Sequence, residues 1–186
     1  METDVCKSFE CQKKIFQIIQ NAGLILTLQE LQNIEIVTFG LTDYPTTGLQ
    51  VLTYISNTRY CAKELVLLPY QTCPEHRHPL INGHPGMQET FRYRWGTVYL
   101  FVDDDELPCE SDQIVPGCNA PENSKDWYTC TRYILLRQSE QYTIKPDTLH
   151  WFQAGKDGAV ISVFSSESRE ELDIFTDPLV SRFAEK

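Results

Sequence analysis

The chain has 186 residues, enough for one domain with a sizeable core and too few for two comfortable ones. Its 41% hydrophobic and 23% charged residues are ordinary for a soluble globular protein. A net charge of -10 argues against sequence-independent binding to nucleic acid, which rests on cationic contacts to phosphate, and no apolar run approaches a membrane span.

Seven cysteines stand at 6, 11, 61, 73, 109, 118 and 130, an odd number with no Cys-x-x-Cys spacing. The chain does not begin with an apolar secretory segment, so reduced thiols in a cytoplasmic protein are the expectation. A loop disulfide or an accessory metal stays open for Cys109, Cys118 and Cys130, which share one loop-rich region.

In chain order, residues 8–22 have the spacing of an amphipathic helix, with Phe9, Ile15, Phe16, Ile18 and Ile19 favouring one side. Thr27 and Glu30 form a capping-box match that opens a short second helix, with Leu28 and Leu31 expected to pack inward. From residue 34 the pattern changes to β-rich runs at 34–39, 49–55, 60–68, 88–93, 96–102, 128–136, 141–144, 150–153 and 159–164. Many short strands without intervening helices predict an all-β sandwich or small barrel. The resulting single domain divides into a helical segment 1–33, a barrel 34–164 interrupted by an acidic, proline-bearing surface loop at 103–127, and a tail 165–186. The tail is expected to wrap over the barrel before a last short helix.

The chemistry concentrates in the stretch from Gln71 to Gly96. His76 and His78 are two apart, which on a strand turns both imidazoles to one face. Glu89 follows a glycine- and proline-rich turn, so a hairpin is expected to return it beside the pair. His150 enters a strand from its own turn far downstream. Three imidazoles and a carboxylate meeting at one point suit a first-row divalent metal with positions open to substrate. His84, in the turn, is expected at the rim. Glu75 alternates away from the histidines and reads as structural. Lys63 alternates with Cys61 and Leu65, and a buried lysine needs a partner or a task.

The order His76-x-His78, Glu89, Gly96, Pro146 and His150 resembles the two-part signature of the cupin superfamily. Longer phrases are similar to the D-lyxose ketol-isomerases: Arg59-Tyr-Cys-Ala-Lys-Glu-Leu-Val, Cys73-Pro-Glu-His-Arg-His-Pro, Gln88-Glu-Thr-Phe-Arg-Tyr-Arg-Trp-Gly, His150-Trp-Phe-Gln-Ala-Gly and Asp173-Ile-Phe-Thr-Asp-Pro. The resemblance runs from about residue 24 to 178. It implies a cupin, that is a double-stranded β-helix or jelly-roll barrel, behind short N-terminal helices. It also implies an aldose–ketose isomerase that interconverts D-lyxose with D-xylulose, and D-mannose with D-fructose, by proton or hydride transfer between C1 and C2. The cofactor it implies is Mn2+, with Co2+, Fe2+ or Zn2+ as other divalent choices, held by His76, His78, Glu89 and His150. A small-molecule sugar is the expected partner, and cupin resemblance implies a homodimer. Lys63 and Asp173 are the candidates for the catalytic groups. Two readings stand beside this one: an iron cupin dioxygenase, and a non-catalytic metal-dependent sugar-binding protein. One departure bears on mechanism, since relatives carry Lys two residues before the metal Glu where this chain has Met87.

Overall fold

A computed structural model describes residues 9–107 and 118–183. It consists mostly of strands: β1 (Glu35–Val37), β2 (Leu49–Ser56), β3 (Cys61–Leu67), β4 (Thr72–Arg77), β5 (Glu89–Val102), β6 (Tyr133–Leu136), β7 (Gln141–Ile144), β8 (His150–Ser165) and β9 (Ile174–Phe175). Two pairs of runs that look separate in the sequence are in fact continuous, forming the 14-residue β5 and the 16-residue β8. The sheet is a jelly roll of cupin type organised on these two strands. They pair antiparallel along their length, from Glu89↔Ser165 to Val102↔His150. On its other edge, the first half of β8 meets β4 and the second half meets β3. Both strands bend midway, so one layer runs β1-β2-β3-β8-β5-β7 and the other β9-β4-β8-β5-β6.

The bend depends on Gly96 and Gly158, with φ of +86° and +89°. A Cβ on Gly96 would lie 2.1 Å from the Gly158 carbonyl oxygen, so the backbones touch where the layers part. Between the layers lies the core, which includes Leu65, Leu67, Phe91, Leu100, Phe152 and Ile161. Val66 and Val160 point the other way by strand alternation, and α1 (Phe9–Asn21) covers them with Cys11, Ile15, Ile18 and Ile19.

Several expectations need correction. Phe16 is 43% exposed, because the buried stripe of α1 runs through Cys11, Ile15, Ile18 and Ile19. The second helix, α2 (Leu28–Gln32), has its capping box at Thr27, yet Leu28 is 80% exposed and no residue of the helix is buried. No hairpin joins β4 to β5: these strands do not pair, and Glu89 arrives opposite Ser165 of β8 and Ile144 of β7. The intervening residues form a loop closed by a bridge between Ile81 and His84. The strand expected at 128–136 begins only at Tyr133. Among the described residues the tail holds a 3-10 turn (Glu170–Leu172) and β9 rather than a last α-helix.

Residues 108–117, with Cys109, lie outside the described residues, as does Cys6. The returning part of that insertion packs on the outer face of the second layer, where Cys118, Cys130 and Trp151 are buried and Trp151 stacks on Phe101 at 3.8 Å. Asn119 is held at both backbone polar groups by the Gln153 amide. Among the described residues no helix is long and apolar enough to cross a membrane.

Gly96→Ala is expected to lower unfolding stability by more than about 2 kcal/mol, combining a disfavoured left-handed backbone with a main-chain clash. Urea unfolding of the variant beside wild type checks this.

Candidate metal centre

β4 and β8 lie side by side in the second layer with His76 opposite His150, so these imidazoles meet across the ladder with ring centroids 4.3 Å apart. His78 follows the end of β4, its centroid 5.0 Å from that of His76 and 5.3 Å from that of His150. All three are buried, and one ligand atom from each can be chosen so that the three lie within 4.8 Å of one another. Two donors about 2.1 Å from a shared ion are at most about 4.2 Å apart, so the spread is within roughly half an ångström of what one ion requires. Glu89, also buried, places Oε2 3.4 Å from His78 Nε2.

Each ring is turned by a bond at its other nitrogen. His76 Nδ1 donates to the Pro74 carbonyl at 2.8 Å and His150 Nδ1 to the Thr148 carbonyl at 2.9 Å, in each case two residues upstream. A carbonyl can only accept, so these rings carry their proton on Nδ1 and leave Nε2 with a lone pair. His78 is different: its Nδ1 bonds Asp173 Oδ1 at 2.6 Å, reaching to the tail. The Nε2 atoms of His78 and His150 are buried without a hydrogen-bond partner. Uncommitted buried nitrogens are costly unless something binds them, and the donor set suits a divalent cation.

Electrostatics agree with that fit. Burial, with the charge of neighbouring imidazoles, holds His76 well below the usual histidine range. The same causes lower His150 to about 4. Burial would also lower His78, but Glu89 and Asp173 more than offset it and push it up to about 10. The two carboxylates thus favour positive charge at His78, which a divalent cation held at its Nε2 would supply instead. Burial would raise Glu89, yet His78 and Lys63 hold it well below the carboxylate range.

Lys63 points into the barrel, 6% exposed, with Nζ 2.5 Å from Glu170 Oε1 and 3.8 Å from Glu89 Oε1. Burial alone would deprotonate it more easily, but these carboxylates raise its pKa and keep it an ammonium. Asp173 is raised by burial. Glu75 turns away from the histidines, accepting from Thr129 N and Oγ1, Cys130 N and Thr176 Oγ1 at 2.7–2.9 Å. Arg92 and Arg94 also face away from the site; Arg94 reaches Glu64 and Ser162. Of the two aromatics that follow His150, Phe152 lines the inner cavity and Trp151 stacks on Phe101.

An inner cavity of about 40 Å³ is lined by Lys63, His76, Met87, Glu89, Glu170 and Phe175, among others. An outer cleft of about 270 Å³ opens beside it, with Arg59, His78, His84, Met87 and Asp173 in its wall. His78, Met87 and Asp173 border both and mark the threshold between them. Sequence reasoning missed Glu170, Arg182 and Phe175, all in the tail, where no strand alternation signals direction. The only hint was Lys63, whose burial requires a carboxylate partner.

The fold has solved counterparts. An L-ribose isomerase from Cellulomonas parahominis superposes with a TM-score of 0.72 over 92% of this chain and 91% of that one, at 15% identity. An Acinetobacter L-ribose isomerase in complex with L-ribose gives 0.73 over the same shares at 14% identity. No protein-family model matches. Fold and histidine cluster together define a cupin-type barrel of the architecture on which sugar isomerases are built. Among curated proteins, the D-lyxose/D-mannose isomerase of Thermosediminibacter oceani is 52% identical over 176 residues, 95% of this chain and 94% of that protein. The D-lyxose ketol-isomerase of Cohnella laeviribosi is 49% identical over 93% of this chain and 92% of its own length. The chain belongs to the D-lyxose ketol-isomerase family.

Asp173→Ala removes the carboxylate that holds His78 Nδ1 while leaving the local carbonyl bonds of His76 and His150 in place. Divalent-cation affinity, measured by competition with a chelator, is expected to fall by about 10- to 100-fold.

Proposed function

We propose that this protein interconverts D-lyxose with D-xylulose, and D-mannose with D-fructose, using one Mn2+ held by His76, His78, Glu89 and His150. The observation that carries the reading is the convergence of three buried imidazoles, each turned by its own Nδ1 bond, beside Glu89 in a chain about half identical to D-lyxose isomerases. A bound divalent ion supplies positive charge that polarises the sugar carbonyl and offsets the negative charge that develops during the reaction. The remaining work falls to side chains. The outer cleft receives the sugar, and Asp173, at the threshold, is placed to touch its C1–C2 end. Asp173 takes the proton from C2 and returns it at C1 while the O2 hydroxyl proton passes to O1, a task favoured by the raised pKa that burial gives the carboxyl group. Lys63, held as an ammonium, stabilises the oxygen that gains charge. Arg59 and His84, in the cleft wall, orient the distal hydroxyls. Met87 stands at the threshold two residues before Glu89, and Lys63 supplies an ammonium to the inner cavity from β3.

Manganese as the native ion, a homodimer as the assembly and the cytoplasm as the location belong to the same proposal. The first two rest on family resemblance. The last is supported by Cys61, Cys73, Cys118 and Cys130 remaining buried thiols.

Mn2+-loaded protein incubated anaerobically with D-lyxose is expected to yield D-xylulose; turnover that required O₂, or binding without ketose, would overturn the reading. In D₂O, proton transfer leaves deuterium in the ketose, whereas a hydride shift leaves none. His150→Ala is expected to lose both the ion and turnover, read by metal analysis and ketose assay. Lys63→Met is expected to keep the ion and lower kcat by about 100-fold.

A further inference from the structure

Glu89 and Lys63 present the site with a conflict. Glu89 is the carboxylate offered to the cation, and an ammonium beside it competes for the same charge. The structure shows how the competition is decided. Lys63 Nζ lies 3.8 Å from Glu89 Oε1, beyond hydrogen-bond reach, and 2.5 Å from Glu170 Oε1, a close charge-assisted bond. The ammonium is thus drawn toward Glu170 while remaining in the wall of the inner cavity.

Glu170 is itself fixed. Its Oε2 accepts from Arg182 Nε at 2.7 Å, and Arg182 uses its other nitrogens to grip both oxygens of Glu35 at 2.7 and 2.9 Å. Arg182 is only 10% exposed at its side chain, whereas Glu35, at the outer end of the fork, is half exposed. A line of alternating charge therefore runs from Glu89 through Lys63, Glu170 and Arg182 to Glu35 on β1. With one oxygen on Lys63 and the other on Arg182, Glu170 has no reason to reach the sugar.

From this geometry we infer that Glu170, clamped by Arg182, is a positioning residue that holds the Lys63 ammonium off Glu89 and so keeps that carboxylate available to the metal. The inference rests on the proposed metal site. Removing the charge of Glu170 leaves Glu89 as the nearest carboxylate to Lys63; the ammonium moves onto it and excludes the cation. The defect lies in the freed lysine, so deleting the lysine repairs it.

The test titrates Mn2+ by calorimetry, without sugar, into wild type, Glu170→Gln, Lys63→Met and the double variant, each checked for fold by circular dichroism. Glu170→Gln is expected to weaken Mn2+ binding at least tenfold, and the double variant to bind as tightly as Lys63→Met alone. Arg182→Ala, which frees Glu170 without discharging it, is expected to weaken binding in the same direction by a smaller factor. With D-lyxose at saturating Mn2+, Glu170→Gln is expected to lower kcat with KM within threefold of wild type. Binding by Glu170→Gln within twofold of wild type, or a double variant as weak as Glu170→Gln, overturns the inference. Wild type that binds Mn2+ but produces no ketose sinks the isomerase reading and leaves the cation cycle to decide this one. Wild type that binds no Mn2+ sinks both.

Discussion

The structure depends on what happens at the far nitrogen of each imidazole. A histidine in a dry interior has two ring nitrogens and must satisfy both. Here one nitrogen of each ring is committed to an oxygen, which leaves the other turned into shared space. His76 and His150 are fixed by carbonyls two residues behind them, a bond the local backbone provides wherever the strand forms. His78 is fixed by a carboxylate 95 residues away. Two imidazoles are thus prepared by local structure, and the third by the closing of the tail over the barrel.

The barrel brings these parts together economically. β8 contributes His150 from its first half and, at its other end, Ser165, which faces Glu89 of β5. Because β5 pairs with β8 rather than with β4, the carboxylate reaches the histidines through the long central ladder, around the bend at Gly96 and Gly158. The tail then seals the open end: β9 pairs with the end of β4, opposite His76 and Arg77, and Thr176 reaches Glu75 through its amide and hydroxyl. Each buried charge inside the seal has an opposite partner, from Glu89 through Lys63 and Glu170 to Arg182, which reaches the half-exposed Glu35, as a buried network must if it is not to weaken the fold.

Much of this was legible in the residues. The β-rich runs, the His76–His78 spacing and the phrases shared with D-lyxose ketol-isomerases point to the jelly roll and to the family. Alternation alone turned Lys63 inward and Glu75 outward, as observed, because both sit in regular strands. It failed where side-chain direction is set by tertiary contact. Leu28 matched a helix pattern, but among the described residues none buries the five-residue helix that bears it. The route of Glu89 was misjudged because a glycine-rich turn suggests a hairpin whether or not the flanking strands pair. Glu170 and Arg182 lie in a polar stretch that reads as solvated tail, and only the position of Lys63 reveals that their charges face inward.

The distance along the chain between His78 and Asp173 has a consequence for biosynthesis. A polypeptide leaving the ribosome exposes His76, His78 and Glu89 well before it exposes His150, and Asp173 later still. An ion captured by the early residues would be held loosely, with His78 free to rotate. In the proposed site, firm capture would wait for the tail, so metallation would be the closing event of maturation, and the metal supply available to the finished chain, more than that met by the nascent one, would decide which ion is installed.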